Sequence, residues 1–109
     1  MKIYTKQGDT GKTAVYTSTV MKLSKDDILL ECYGTLDELN SYLGLCICSI
    51  DAELADQKEQ LQACQRHLFL IGFALSDTDK LAASSIIDLE KKIDEIQTKL
   101  PPQTSFVLP

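Results

Sequence analysis

Three apolar stripes with helical spacing constrain the fold of this chain more than any other feature of its sequence. In each stripe, large apolar side chains recur three or four residues apart, which places them on one face of an α-helix. The spacing predicts helices near residues 36–50, 54–75 and 86–100, and therefore an all-α helical bundle. The stripes consist of Leu36, Leu39, Leu43, Cys46 and Ile50, then Leu54, Leu61, Cys64, Leu68, Ile71 and Leu75, then Ile86, Leu89, Ile93, Ile96 and Leu100.

Local signals predict where these helices begin and end. Thr35 opens the pattern of a capping box, so the first helix is expected to begin there. Asp51 and Ser85 are expected to cap the second and third helices. Turn-forming residues at 76–79 predict the end of the second helix, and the proline pair that begins at Pro101 predicts the end of the third.

The N-terminal segment, residues 1–34, differs from the helical remainder. Residues 3–5 and 13–17 are short strand-like runs on either side of the glycine-containing turn 8–11. The pattern leaves open whether this segment is an extended loop or a true sheet. With 109 residues, the chain is expected to form a single domain, with this segment followed by helices over residues 35–109.

Composition excludes several classes of protein. The chain is 44% hydrophobic and 25% charged, which is typical of a soluble domain. No apolar run approaches the ~20 residues of a membrane span, and the N-terminus lacks the apolar core of a secretory signal. A cytoplasmic protein without membrane partners is expected, in which the four cysteines are reduced, small buried hydrophobes.

Charge is unevenly distributed along the chain. Residues 1–25 carry five lysines and one acid, whereas residues 26–109 carry fifteen acids against six bases. A local basic segment on an acidic chain predicts an anion site. A nucleic-acid partner is not expected, because Arg66 is the only arginine and base readout relies on arginine.

The glycine-containing turn is the candidate anion site. It is not a P-loop, because Gly8 and Gly11 are separated by two residues where that motif needs four. Glycines nevertheless allow backbone amides to converge on a phosphate, and nearby threonine hydroxyls and lysines can assist them. The alternative is a simple polar turn, and the spacing alone does not choose between the two.

Two polar residues of the helices need an explanation. Asn40 lies beside the first apolar stripe, where a buried amide requires hydrogen-bond partners. His67 is the only histidine, and on a helix flank it is expected at the surface rather than as a metal ligand. No metal site is predicted.

Three motifs together resemble the ATP:corrinoid adenosyltransferases of the propanediol-utilisation type. They are Ile3-Tyr4-Thr5-Lys6-x-Gly8-Asp9-x-Gly11-x-Thr13, Ser24-Lys25-Asp26-Asp27, and Tyr33-Gly34-Thr35-Leu36-Asp37-Glu38-Leu39-Asn40-Ser41. Weaker similarity continues through Leu68-Phe69-x-x-Gly72, Leu89-Glu90-x-x-Ile93-Asp94 and Phe106-Val107-Leu108-Pro109.

This resemblance implies a homotrimer of helical bundles that transfers the 5′-deoxyadenosyl group of ATP to cobalt(I) of cobalamin or a related corrinoid. ATP with Mg²⁺ and the corrinoid would be the substrates, and triphosphate would be released. Cobalt(I) is itself the nucleophile, so no catalytic side chain is implied. The protein would act by positioning and by neutralising the charge of the leaving triphosphate.

The resemblance also implies roles for individual residues. Phe106 would help displace the lower axial ligand of the corrinoid, and Asp37 would pair with an arginine of a neighbouring subunit beside the corrinoid pocket. The ATP phosphates would be bound by Thr5, Lys6, Gly8, Asp9, Gly11, Thr13 and Lys25.

The chain departs from the family pattern after Pro109, where family members continue into further helices that carry an arginine-rich motif. No arginine follows Arg66. We therefore expect a domain truncated at its C-terminus, with adenosyl transfer lost or severely impaired. Two alternatives stay open: a non-catalytic helical oligomerisation or interaction domain, and a different nucleotide-binding protein that uses the same turn.

Overall fold

The computed structural model describes residues 2–76 and 82–108 and confirms that the chain is mainly helical. Within these residues, two short strands precede three α-helices. The strands are β1 (Lys12–Tyr16) and β2 (Val20–Ser24), and the helices are α1 (Ile28–Ser49), α2 (Ala55–Leu75) and α3 (Ser84–Gln97), with one 3₁₀ turn at Ala52–Leu54.

The N-terminal segment contains a true two-stranded antiparallel sheet. Lys12 pairs with Ser24, and Ala14 pairs with Lys22. The second strand was not predicted, and residues 3–5, which have strand-like composition, form no strand. Strand propensity without a pairing partner is a weak signal, because a strand is stabilised by its cross-strand neighbours.

The predicted start of the first helix is wrong. α1 begins at Ile28, and the carboxylate of Asp27 accepts a hydrogen bond from the backbone N–H of Leu29 at 2.9 Å. Thr35 lies inside the helix, where its hydroxyl donates to the backbone oxygen of Glu31. Asp27 therefore provides an earlier cap, and the helix continues through the glycine before Thr35.

The predicted caps of the other helices also differ from the structure. Asp51 precedes the 3₁₀ turn and makes no side-chain capping bond. Ser85 lies within α3, whose N-cap residue is Ala83. Both predictions are wrong, because a 3₁₀ turn separates Asp51 from α2 and α3 already begins at Ser84.

The predicted helix ends are closer to the structure. Ser76 caps the C-terminus of α2, and its N–H donates to the backbone oxygen of Phe73 at 3.0 Å. The remaining residues of the predicted turn, 77–79, lie outside the described residues. α3 ends at Gln97, and a final turn through Leu100 precedes the prolines.

α1 and α2 pack side by side in opposite directions. Gln65 of α2 donates from Nε2 to the backbone oxygen of Asn40 at 3.1 Å, and the hydroxyls of Tyr33 and Ser76 are hydrogen-bonded near the other end of the pair. The hairpin lies beside this second end, where Val15 is only 5% exposed. Burial in the described chain is therefore greatest where the hairpin meets the helix pair.

α3 is packed differently. Among the described residues, α3 makes no close backbone contact with any other element. It faces α2 across a groove, while Ile86, Ile93 and Leu100 of its apolar stripe are more than half exposed.

Two further observations concern the surface. No helix among the described residues is long and apolar enough to cross a bilayer. All four cysteines are free thiols, and only Cys64 is partly buried, so the expectation that they are buried is wrong. Cys64 lines the groove between α2 and α3, and the other three thiols are exposed.

Candidate functional site

The glycine-containing turn has a backbone that few residues can adopt. Lys6 and Gly11 have positive φ angles of 62° and 81°. Two backbone hydrogen bonds close the turn, from Asp9 N–H to the oxygen of Lys6 at 3.3 Å and from Gly11 N–H to the oxygen of Gly8 at 3.1 Å. Because the left-handed region is strained for residues with a Cβ, the conformation at residue 11 favours glycine, whereas Lys6 adopts this region despite its Cβ.

Lys25 folds back onto this turn. Its backbone N–H donates to the oxygen of Gly11 at 2.9 Å. A Cβ added at Gly8 would lie 3.1 Å from the Lys25 ammonium nitrogen, so the ammonium lies directly over Gly8. Two motifs that are separated in the sequence therefore form one positively charged structure.

A cavity of about 450 Å³, here called the hairpin cavity, adjoins this turn. It lies against one face of the sheet, which carries Lys12, Ala14 and Tyr16 of β1 together with Lys22 of β2. The cavity is lined by Thr5, Gln7, Gly8, Thr10, Lys12, Thr13, Ala14, Tyr16 and Lys22.

The structure distributes the predicted phosphate-binding residues over this region unevenly. Thr5, Gly8 and Thr13 line the hairpin cavity, whereas Asp9 and Gly11 form the turn beside it. The sequence prediction omitted Gln7, Lys12 and Lys22 from the site. The alternation of residues along a strand would have placed both lysines on one face, had β2 been recognised.

Lys6 points elsewhere. Its ammonium nitrogen is 5.8 Å from the centre of the Tyr4 ring, and that of Lys2 is 5.9 Å from the same ring. These distances are within the range of cation–π attraction. Lys6 therefore borders the turn without lining the hairpin cavity.

A second cavity, of about 280 Å³, lies between α1 and α2 and is here called the helix-pair cavity. Most of its walls are apolar or aromatic, and Asp37 and Asn40 supply polar groups. It is lined by Tyr33, Leu36, Asp37, Asn40, Leu68, Phe69, Gly72, Phe73 and Ser76.

Asp37 and Asn40 also border a more polar groove that contains Arg66. No ion pair joins Asp37 to Arg66 in the part of the chain that the structure describes. The side-chain oxygen of Asn40 is buried and has no hydrogen-bond partner among the described residues. A buried acceptor without a hydrogen-bond partner typically costs about 1–3 kcal/mol of stability. The described residues therefore do not supply the partner that was predicted for the amide oxygen of Asn40.

Phe106, predicted to act with Asp37 on the corrinoid, is fully exposed in the C-terminal tail. It lines neither the hairpin cavity nor the helix-pair cavity. The structure therefore does not bring these two residues into one cavity.

A third cavity, here called the junction cavity, shares lining residues with each of the first two. This junction cavity has a volume of about 500 Å³ and shares Ala14 and Tyr16 with the hairpin cavity. It also shares Tyr33, Phe73 and Ser76 with the helix-pair cavity. The three cavities thus share lining residues from the hairpin to the apolar space between α1 and α2.

His67 lies away from this surface. It is half-buried in the groove between α2 and α3 rather than fully at the surface, and the groove has a volume of about 350 Å³. Within residues 2–76 and 82–108, no cluster of three or more His, Cys, Asp or Glu side chains could hold a metal ion.

An ion pair lies at the edge of the same groove. The Lys92 ammonium donates to the Glu95 carboxylate at 2.7 Å. This hydrogen bond and the opposite charge raise the pKa of Lys92 and lower the pKa of Glu95.

Comparison with known proteins gives a consistent picture. A family model for cobalamin adenosyltransferases matches residues 3–109. A corrinoid adenosyltransferase of Citrobacter freundii is 36% identical over 116 residues, which cover 99% of this chain and 64% of that protein. The Bacillus subtilis enzyme is 34% identical, with 100% of this chain and 58% of that protein covered. The human enzyme is 35% identical, with 99% of this chain and 47% of that protein covered.

Solved structures agree in fold. A variant of the PduO-type ATP:corrinoid adenosyltransferase from Lactobacillus reuteri, complexed with cobalamin and ATP, superposes with a TM-score of 0.87. It is 30% identical to this chain, and the match covers 99% of this chain and 61% of that one. The chain therefore spans less than two thirds of the length of the relatives it matches.

Proposed function

Because the chain belongs to the cobalamin adenosyltransferase family, we propose that it serves the transfer of the 5′-deoxyadenosyl group of ATP to the cobalt of a corrinoid. The observation that carries this proposal is the placement of Lys25 over Gly8, beside a cavity lined by two further lysines. A polyanion is the kind of ligand that such a concave, positively charged surface favours.

The hairpin end is proposed to bind the phosphates of ATP. The Lys25 ammonium would bind a phosphate oxygen above Gly8, where no side chain obstructs the approach. The threonine hydroxyls of the cavity would donate hydrogen bonds to the phosphates. Lys12 and Lys22 would add charge from the sheet face. The proposed set is Thr5, Lys6, Gly8, Asp9, Gly11, Thr13 and Lys25, with Lys12 and Lys22 added.

The chemistry asked of the protein is positioning and charge neutralisation. Cobalt(I) of the reduced corrinoid attacks the 5′ carbon of ATP, a cobalt–carbon bond forms, and the carbon–oxygen bond to the triphosphate breaks. The electron pair of that bond leaves with the triphosphate, so no protein base is needed. ATP enters as its Mg²⁺ complex, and the lysines of the hairpin end would stabilise the charge of the leaving group.

The helix-pair cavity is proposed to adjoin the corrinoid. Its aromatic and aliphatic walls suit a large, mostly apolar ring, and Asp37 supplies a charge at its edge. Phe106 is proposed to reach the lower face of the corrinoid from the C-terminal tail. Its complete exposure in the isolated chain leaves its ring available for such a contact.

Assembly as a homotrimer is also proposed. The apolar stripe of α3 is exposed, and surface of this kind is usually covered by another chain or another segment. Arg66 is the only arginine of residues 1–109, so these residues do not contain the downstream arginine that the resemblance implies as the partner of Asp37. Analytical ultracentrifugation should give the mass of a trimer, and a monomer at high micromolar concentration would contradict it.

The four free thiols suit a reducing, cytoplasmic location.

The transfer assay tests the proposal. ATP, Mg²⁺ and chemically reduced cobalamin are incubated with the protein, and formation of adenosylcobalamin is followed by its visible spectrum. Turnover by residues 1–109 is expected to be absent or severely impaired, so the effect of the lysine is measured on ATP binding by calorimetry. We expect Lys25→Gln to raise the dissociation constant of ATP by about tenfold or more, since one charge-assisted contact typically contributes about 1.5–3 kcal/mol. Lys99→Gln, a matched change after α3, should leave it unchanged.

An absence of ATP binding by the wild-type protein would overturn the proposal. Self-association without ATP binding would then favour the second candidate function, a non-catalytic interaction domain. The exposed apolar stripe of α3 is the observation that supports this alternative.

A further inference from the structure

One face of the hairpin, here called the cavity face, lines the hairpin cavity. It carries Lys12, Ala14 and Tyr16 of β1 together with Lys22, which pairs with Ala14 across the sheet. Side chains alternate between the two faces of a strand, so Val15 lies on the opposite face, and it is buried. The side chains of the cavity face other than Ala14 are exposed and are therefore open to a ligand.

One end of the cavity face is cationic. Lys12 and Lys22 are diagonal neighbours, because Lys12 pairs with Ser24 while Lys22 pairs with Ala14. Diagonal neighbours on one face of a sheet lie about 7–8 Å apart, so the two ammonium groups raise the positive potential of the same space. None of the described residues that line the hairpin cavity is acidic.

The other end of the cavity face is apolar. Tyr16 pairs with Val20 across the sheet, and each of the two side chains is 64% exposed. An aromatic and a β-branched side chain in opposite positions of a sheet pack against each other, so Val20 is placed to support the ring of Tyr16. Tyr16 lines the hairpin cavity and the junction cavity. A flat aromatic surface is thus exposed beside the cationic end.

A ligand that matches both ends carries a flat ring system at one end and several negative charges at the other. The four residue steps from Lys12 to Tyr16 cover about 14 Å at about 3.4 Å per residue. A nucleoside triphosphate has this extended form, with its base at one end and its phosphates at the other. Exposed aromatic side chains bind bases by stacking, because every base has a π-face.

We infer that Tyr16 is the residue on which the base of ATP stacks. The inference rests on the proposed function, which places the phosphates among the lysines of the hairpin end. The base lies over the ring of Tyr16, and the ribose lies between this ring and Lys22. The ring makes the contact, and its hydroxyl is not required. Tyr16 therefore contributes to the affinity for the nucleoside part of ATP and not to the affinity for the phosphates.

A comparison of two ligands tests this inference without relying on turnover. The dissociation constants of ATP and of tripolyphosphate, which has no base, are measured by calorimetry in the presence of Mg²⁺. Tyr16→Val removes the ring and keeps a residue that suits a strand. It should raise the dissociation constant of ATP at least about fivefold, which is the lower end of what a stacked base contributes. The dissociation constant of tripolyphosphate should change by less than about twofold.

Three further variants serve as controls. Tyr16→Phe keeps the ring and should retain the wild-type affinity for ATP within about twofold. Lys22→Gln should weaken ATP and tripolyphosphate by a similar factor, because it removes a charge from the phosphate region. Tyr42→Leu changes an exposed tyrosine of α1 that lines neither the hairpin cavity nor the junction cavity, and it should alter the affinity for neither ligand.

The outcomes separate the inference from the proposed function. If the wild type binds both ligands and Tyr16→Val leaves ATP unchanged or weakens both ligands equally, the inference is overturned and the proposed function stands. A loss of ATP affinity in Tyr16→Phe as large as that in Tyr16→Val also overturns it, because the hydroxyl would then make the contact. If the wild type binds neither ligand, the proposed function fails and the inference fails with it. Melting curves identify any variant that does not fold, and Tyr16→Thr gives the same comparison if Tyr16→Val is unstable.

Discussion

α1 and α3 carry apolar stripes of the same spacing, but the two helices are packed in different ways. α1 lies against α2, and Leu36 and Leu43 of its stripe are partly buried. In α3, Leu89 and Ile93 of the stripe are about half exposed, and the helix turns mainly polar residues toward α2. The difference shows that periodicity identifies the apolar face of a helix but not whether another element covers that face.

The cavities and charged groups are also distributed differently between these two regions. The hairpin and the α1–α2 pair hold the lysine-lined cavity and the apolar cavity, and a third cavity shares lining residues with both. The α3 side holds the groove with His67 and the ion pair between Lys92 and Glu95. We therefore propose substrate binding for the first region and association for the second.

The largest effect on stability is expected from one of two side-chain truncations, of which the first is at a partly buried position and the second at an exposed one. Leu68→Ala removes a partly buried side chain between α1 and α2 and should lower the free energy of unfolding by about 2 kcal/mol. Ile93→Ala removes an exposed side chain of α3 and should lower it by less than about 0.5 kcal/mol. Urea unfolding of both variants measures the difference. An equal loss of stability in the two variants would show that the apolar stripe of α3 is covered in solution. It would contradict the difference in packing between α3 and the α1–α2 pair.

A pair of glycine substitutions tests the contrast between hairpin and helix. Gly11→Ala should lower the free energy of unfolding by about 1–2 kcal/mol because φ is +81° there. Gly34→Ala lies inside α1 with open space around the added methyl group. It should raise stability by up to about 1 kcal/mol, since alanine favours a helix interior. Thermal melting of both variants shows whether each change raises or lowers the melting temperature. A higher melting temperature for Gly11→Ala would contradict the turn conformation.

The smallest effect is expected at the ion pair of α3. The lowered pKa of Glu95 contributes stability above the unfolded pKa of the carboxyl, and that contribution is lost as the pH falls through the lowered value. The raised pKa of Lys92 contributes below the unfolded pKa of the amine and is lost only as the pH rises through the raised value. At neutral pH both contributions are present.

Glu95→Gln should therefore reduce the stability of α3 slightly at neutral pH. It should also make the decrease of the melting temperature between neutral and acid pH less steep. The melting temperature should change by no more than about 2 °C, because the pair is exposed to solvent. Melting followed by circular dichroism between acid and neutral pH measures both. A larger shift would mean that α3 is packed against something that desolvates the pair.

The sequence predicted the three helices and most of their ends, because apolar spacing and prolines act locally. It misplaced the start of α1, since Asp27 and Thr35 both have capping propensity and only the path of the backbone selects one. It also missed β2, whose formation depends on pairing with β1. Apolar spacing and prolines were therefore the reliable local signals, whereas capping propensity at Asp51 and Ser85 was not.

The candidate site could be predicted only in part. Thr5, Gly8 and Lys25 were identified from motifs, and the structure brings Lys25 onto Gly8. Lys12 and Lys22 were missed because their shared face exists only once the hairpin is paired. The junction cavity, with its Tyr33–Ser76 contact across 43 positions, had no local signal at all.

The central claim, that the phosphate-binding region is the hairpin end, is tested most directly by titration of the ¹⁵N-labelled chain with ATP and with tripolyphosphate. Amide chemical shifts report which backbone groups meet the anion. The largest changes should fall on Gly8, Gly11 and Lys25 with both ligands, and the amides of Ser84–Gln97 should remain unchanged. Changes concentrated in α3, with the amides of the glycine-containing turn unaffected, would contradict the account.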